Sequence, residues 1–262
     1  MKVALVQMEV QERSCAANTE HGLRLLREAA AGHDVVVLPE IWTTGYSLGH
    51  LRSEAVTPEG DLFRRFGEIA RENSCLLLPG SVPVRRDGVV YNSSPAFGRD
   101  GRLVHVYDKV HLFRMFHEDR FFGAGQDFDA YEAEGLKLGS TICYDLRFPE
   151  LYRRMALQGA EIFVCAAEWP EARGAVWRLL LQARAAENHC FMLGVNAVGV
   201  NKNQRFFGHS MICGPDGRII AEGSDREEII SAEIDVSEVA GLRSVLNALS
   251  DVRRELIDSG RK

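Results

Sequence analysis

The chain has 262 residues, with 31 Lys and Arg against 37 Asp and Glu and a formal net charge of −6. That balance disfavours a non-specific nucleic-acid binder, which needs a basic footprint. With 46% apolar and 26% charged residues, the chain can bury a sizeable core and is not disordered throughout, and no apolar run reaches bilayer length.

In chain order, short apolar runs alternate with longer amphipathic stretches. Val3 to Val6 reads as a buried strand, and residues 18–31, with Leu23, Leu25, Leu26 and Ala30, as a helix. Val35 to Leu38 is a second strand, stopped by Pro39. Leu62, Phe63, Phe66, Ile69 and Ala70 give residues 59–73 helical spacing, and Cys75 to Leu78 is again strand-like. This β-α-β-α-β opening predicts a mostly parallel sheet covered by helices. Val89 to Phe97 and Leu103 to Val106 then read as a hairpin around Asp100-Gly101.

The order then begins again. Residues 127–142 predict two strands around Gly135, followed by a helix from Pro149 to Gln158 and a strand from Ile162 to Cys165. A helix over 175–188 and a strand from Phe191 to Val195 follow. Phe206 to Cys213 and Arg218 to Ala221 predict a second hairpin around Asp216-Gly217, and Ile229 to Ile234 a last strand. Two halves thus share one order with no low-complexity linker between them. The expected fold class is α/β: a four-layer α-β-β-α sandwich with two face-to-face mixed sheets. It is expected to form one domain over residues 1–262. Residues 235–262 are more polar and predict a tail helix, either solvated or packed on a second subunit.

Six cysteines are present without a CxxC pair. Met1–Gln7 turns polar too soon for a secretory signal, so reduced thiols in the cytoplasm are expected. The histidines show no metal-ligand spacing, and no GxGxxG or P-loop motif suggests a nucleotide, so no metal and no cofactor are expected.

Three segments place a chemically capable residue directly after a strand, where α/β folds gather their sites. Glu40 follows Val35-Val36-Val37-Leu38-Pro39, beside apolar Ile41 and Trp42, a setting that suits a general base. Lys109 follows Val106-Tyr107-Asp108; a lone lysine there is ordinarily solvated, and the nearby His111 is better read as a structural hydrogen-bonding residue. Cys143 ends the strand Gly139–Ile142 and begins a turn into the helix at Pro149. Its placement follows the logic of a nucleophile elbow, and N–H groups of the turn are expected to lower the thiol pKa and form an oxyanion site. Read singly, each segment has an ordinary structural alternative: a surface Glu, a solvated Lys, an inert buried Cys.

Together the three are far more specific. Leu38-Pro39-Glu40, then Asp108-Lys109-Val110-His111-Leu112-Phe113, then Cys143-Tyr144-Asp145-Leu146-Arg147-Phe148-Pro149-Glu150 resemble the nitrilase superfamily of carbon–nitrogen hydrolases. The resemblance runs from Val3-Ala4-Leu5-Val6-Gln7-Met8 to the strand near Ile234. It includes Thr44-Gly45-Tyr46, Gly80-Ser81, Tyr91-Asn92-Ser93, Phe207-Gly208-His209-Ser210 and Gly214-Pro215-Asp216-Gly217. It implies a nucleophile, Cys143, a general base, Glu40, and an oxyanion-stabilising Lys109. A second glutamate between the Lys and Cys segments completes such a set. The candidate is Glu118, with Asp119 adjacent and open to confusion with it. The implied reaction is attack of the Cys143 thiolate on an amide carbon, oxyanion stabilisation by Lys109 and the Tyr144 backbone N–H, loss of ammonia, and hydrolysis of the thioester.

His111-Leu112-Phe113-Arg114-Met115 and Cys143–Pro149 look most like the ω-amidase branch, which cleaves monoamides of small dicarboxylic acids such as 2-oxoglutaramate and succinamate. A substrate carboxylate calls for arginine. Arg173 and Arg147 are the nearest, with a structural salt bridge the competing role for Arg147. Tyr46, Phe113, Tyr144 and Trp169 are expected to join Arg173 in the substrate pocket, ordinary core packing being the alternative. The resemblance also implies a homodimer through residues 149–188 and the tail. An N-carbamoyl or aliphatic amidase keeps the same catalytic set. A silent binding or scaffold protein and a redox-sensing thiol protein are the alternatives of another class.

Overall fold

The computed structural model describes residues 1–12, 14–46, 48–201 and 203–253. The first half begins with β1 (Lys2–Gln7), α1 (Cys15–Ala30) and β2 (Val35–Val37), followed by the helical turn α2 (Leu51–Glu54), α3 (Asp61–Asn73) and β3 (Leu76–Leu78). Then come β4 (Val82–Arg86), β5 (Val89–Phe97) and β6 (Leu103–Asp108). β1, β2 and β3 run parallel, with Val3 opposite Val35 and Val35 opposite Leu76, as the sequence predicts. The predicted hairpin of β5 and β6 forms, with Ser93 opposite Asp108. β4 is an additional strand at the sheet edge, antiparallel to β5.

The second half repeats the plan with β7 (Tyr131–Ala133), β8 (Leu136–Ile142), α4 (Pro149–Leu157), β9 (Ile162–Ala167), α5 (Gly174–Asn188) and β10 (Phe191–Asn196). β8, β9 and β10 are parallel. The second predicted hairpin needs correction. β11 (Val198–Asn201) pairs with β12 (Gln204–Phe207) in a separate ribbon, whereas β13 (Met211–Cys213) pairs with β14 (Ile219–Glu222) around the predicted turn. The run Phe206–Cys213 breaks at Gly208 and His209, both at positive φ. A Cβ on Gly208 would lie 2.5 Å from the Gln7 side chain. β15 (Glu228–Glu233) returns to pair with β1, and α6 (Ser237–Val245) is the tail helix. The part of the predicted tail at 254–262 lies outside the described residues.

Strand periodicity sets the layers. On β2, Val35 and Val37 face the other sheet, while Val36 faces the helices. Val3, Leu5, Val35, Val37, Leu76 and Leu78 of one sheet meet Leu138, Ile162, Val164, Phe191 and Leu193 of the other in a buried cluster. Leu23, Leu26, Phe63 and Phe66 of α1 and α3 cover the first sheet outside. Tyr152, Met155, Trp177 and Leu181 of α4 and α5 cover the second. The fold is the α-β-β-α sandwich. Because the parallel strands of both sheets lie in one stack, the segments that leave their carboxyl ends converge.

Candidate active site

Glu40 leaves β2 through Leu38-Pro39. The turn behind it is tight: Ile41 sits at positive φ, and its N–H donates to Ser81 Oγ at 2.9 Å. Gly80 backs the turn, and a Cβ there would lie 2.0 Å from the Pro39 carbonyl oxygen. Lys109 follows β6; its N–H donates to the Asn92 carbonyl at 2.9 Å. Glu118 comes from a helical turn in the following loop.

These three side chains are fully buried and meet. Lys109 Nζ donates to Glu40 Oε1 at 2.7 Å and to Glu118 Oε1 at 2.8 Å. Asn92 Nδ2 donates to Glu40 Oε1 at 2.9 Å, and the Glu168 N–H to Glu40 Oε2 at 3.0 Å. The Tyr46 hydroxyl donates to Glu118 Oε1 at 3.0 Å, and the Phe113 N–H to Glu118 Oε2 at 2.8 Å. Asp119 is exposed, so the adjacent carboxylate that enters the cluster is Glu118. Burial opposes the charge on Lys109, but Glu118 and Glu40 outweigh it and hold its pKa well above the ordinary lysine value. Burial, reinforced by Glu40 and opposed by Lys109, raises the pKa of Glu118.

Cys143 opens a 3₁₀ turn, Cys143–Arg147, at the end of β8 and sits at φ +44°. A non-glycine residue in that region is strained and must be held by its surroundings. Asp145 supplies the hold. Its Oδ2 accepts from the Ile142 N–H at 3.1 Å and the Tyr107 hydroxyl at 2.7 Å, and its Oδ1 from the His111 N–H at 2.8 Å. The Cys143 turn is thereby tied to the segment that carries Lys109. His111 has the structural hydrogen-bonding role expected of it: its ring Nδ1 lies 2.9 Å from Asp145 Oδ1, and the ring stacks on Phe148 with centroids 3.5 Å apart.

One expectation is overturned. The Cys143 thiol pKa is pushed well above its usual value, by burial first and by Glu40 second, with Lys109 opposing. The turn does not deliver a ready thiolate; desolvation and the facing carboxylate win. A thiol in this state needs a base before it can serve as a nucleophile.

Cys143 lies in the wall of a small pocket. Tyr46, Phe113, Tyr144, Trp169 and Arg173 all line it. Trp169 is buried, and its Nε1 donates to the Arg173 carbonyl at 2.9 Å. Arg173 lies 5.7 Å from the Phe113 ring centroid, with Nη2 at 3.1 Å from Met115 Sδ. Arg147 also lines the pocket, over the Trp169 ring at 5.0 Å. Neither arginine makes an ion pair among the described residues, so the salt bridge considered for Arg147 is not its role here. Sequence reasoning gave no role to Asn92, Asp145 or Glu168. Asn92 and Asp145 stand inside quoted motif segments, which was the only signal available for them; Glu168 directly precedes Trp169, already a pocket candidate.

The carbon–nitrogen hydrolase family model matches residues 2–244. A 2-oxoglutaramate amidase of Bacillus subtilis is 35% identical over 254 residues, covering 97% of this chain and 98% of that protein. The mouse omega-amidase NIT2 is 30% identical, covering 97% of this chain and 96% of its own length. Among solved structures, a CN-hydrolase superfamily protein from Xanthomonas campestris superposes with a TM-score of 0.89 at 30% identity, covering 96% of this chain and 97% of that one.

Proposed function

The chain belongs to the carbon–nitrogen hydrolase family of the nitrilase superfamily and is an amidase of that superfamily, and we propose that it is a thiol-dependent ω-amidase. Its substrates are then small carboxylated monoamides such as 2-oxoglutaramate or succinamate, cleaved to acid and ammonia. The observation that carries the reading is the buried Glu40–Lys109–Glu118 cluster acting electrostatically on Cys143 at the foot of a small pocket.

Glu40 takes the proton of the Cys143 thiol as the sulfur attacks the amide carbon. The sulfur–carbon bond forms, and negative charge moves to the amide oxygen, facing Lys109 and the Tyr144 N–H. The carbon–nitrogen bond then breaks, the proton on Glu40 leaves with ammonia, and a thioester remains. Water, deprotonated by Glu40, releases the acid and restores the thiol. Glu118 fixes the Lys109 ammonium through its 2.8 Å contact and is a positioning residue. The far carboxylate of the substrate pairs with Arg173 or Arg147, the two pocket cations without an ion pair among the described residues.

We take the protein to act in the cytoplasm as a homodimer of single-domain subunits. No helix among the described residues is long and apolar enough to cross a membrane. Leu179 on α5, Val245 at the end of α6 and Leu246 are exposed apolar side chains, which supports pairing through residues 149–188 and the tail.

The test is ammonia release by the wild type and Cys143→Ala with succinamate, 2-oxoglutaramate, N-carbamoyl-β-alanine and a neutral aliphatic amide. Preference for the carboxylated monoamides, abolished in the variant, is expected. Preference for the carbamoyl compound or the neutral amide would overturn the substrate assignment and keep the chemistry.

A further inference from the structure

The site contains a third carboxyl that the mechanism above does not use. Glu168 directly follows β9 and is 1% exposed. Its main chain is engaged on both sides: its N–H donates to Glu40 Oε2, and its carbonyl accepts from Cys143 Sγ at 3.8 Å. The residue is thus anchored between base and nucleophile. Its side chain lines the same pocket as Cys143, and both carboxyl oxygens are buried without a hydrogen-bond partner among the described residues. A buried polar group in that condition destabilises the fold, and a ligand that supplies the missing partner recovers the loss.

The other two carboxyls contrast with it. Glu118 accepts from Lys109 and Tyr46 on one oxygen and from Phe113 on the other. Glu40 accepts from Lys109 and Asn92 on one oxygen and from the Glu168 N–H on the other. A primary amide brings two N–H donors. One faces Glu40, because the leaving nitrogen must receive its proton there. The other needs an acceptor that the protein has not already engaged.

We propose that the Glu168 side chain accepts the second N–H of the substrate's primary amide and thereby selects an unsubstituted amide over an ester. The proposal rests on the amidase reading given above and adds a specificity-determining residue to it. Burial, and after it the charge of Glu40, pushes the Glu168 pKa well above the carboxylate range. That direction favours the protonated acid, whose carbonyl oxygen is then the acceptor. A site built to hydrogen-bond an N–H discriminates strongly against a substrate that lacks it.

The experiment compares succinamate with monomethyl succinate. Both give the same succinyl thioester on Cys143, and only the first carries N–H groups on its leaving atom. Steady-state kcat and KM are measured for the wild type, Glu168→Leu and Glu168→Gln. The leucine variant is expected to lose about 10- to 100-fold in kcat/KM on the amide while its ester hydrolysis stays close to wild type. The glutamine variant keeps a carbonyl acceptor and is expected to recover most of the amide activity. Equal losses on amide and ester, or no loss on either, would overturn the role of Glu168 and leave the amidase reading standing. A wild type that cleaves the ester and no primary amide would overturn both. Retained ester turnover also shows that the variants fold.

Discussion

The two sheets deliver different things to the same site. The first sheet and the loop after it bring Glu40, Lys109 and Glu118, whose polar atoms are tied to one another and to Asn92, Tyr46 and backbone N–H groups. The second brings Cys143 at strained φ and Glu168 with no donor on its carboxyl among the described residues. One side is a finished electrostatic device and the other is left incomplete toward the pocket. On the proposed mechanism the charged side can be fixed before substrate arrives, because it stabilises charge that develops later. The reactive side must keep bonding capacity for the substrate. Variants on the two sides should therefore fail differently: first-sheet changes lose stability and rate together, and second-sheet changes lose rate or specificity with the fold intact.

The sharpest separation is expected at the nucleophile. Cys143→Ala should lower turnover by about 10⁴-fold or more with an unfolding midpoint near that of the wild type, measured by thermal denaturation beside ammonia release. A large drop in midpoint would break the comparison. Lys109→Met should show both losses. Turnover is expected to fall about 10²–10³-fold with the oxyanion donor gone. Stability is expected to fall by about 3–5 kcal/mol, because Glu40 and Glu118 are left buried without their cation. Full activity in this variant would remove Lys109 from the oxyanion role.

Smaller effects sharpen the contrast. Asn92→Ala removes one of the donors to Glu40, and about 1–3 kcal/mol of stability should go with it. The thermal midpoint and kcat should fall together; a fall in kcat alone would move Asn92 from support to chemistry. Arg173→Met and Arg147→Met should raise KM for succinamate and not for a neutral amide, with thermal midpoints close to wild type. Equal KM changes on both substrates would deny either arginine a carboxylate. The pH response of the thiol is the mildest test. Burial and Glu40 raise the Cys143 pKa above its usual value near 9.0, so the thiol stays protonated through neutral pH, and thiolate forms only as pH climbs beyond that value. Alkylation of Cys143 in the wild type should be slow at neutral pH and still rising at pH 9; a plateau below pH 8 would contradict the raised pKa.

The sequence made the parallel core strands and their covering helices legible because long apolar runs and helical spacing need no tertiary context. β4 escaped because Val82-Pro83-Val84-Arg85-Arg86 carries a proline and two arginines, and a proline is tolerated in a strand at an edge, which only the sheet order shows. The break at Gly208-His209 escaped because the close approach of Gly208 to the Gln7 side chain, 201 residues earlier in the chain, is visible only in the fold. At the site, motif order led to Glu40, Lys109, Cys143 and Glu118. The direction of the thiol shift could not be read there, since it depends on how deeply the turn is buried and on which carboxylate faces it. Glu168 drew no reading from the sequence; only the fold shows that its main chain bridges Glu40 and Cys143 while its side chain meets no donor among the described residues.

On the proposed mechanism the buried cluster of the first sheet activates Cys143 of the second for attack on an amide. The most direct test mixes wild-type enzyme with 2-oxoglutaramate or succinamate, quenches with acid within the first turnover, and maps the digested protein by mass spectrometry. An acyl adduct on the Cys143 peptide is expected, with ammonia released in proportion to enzyme. Ammonia released with the acyl group on another cysteine, or with every cysteine unmodified throughout the turnover, would contradict that mechanism.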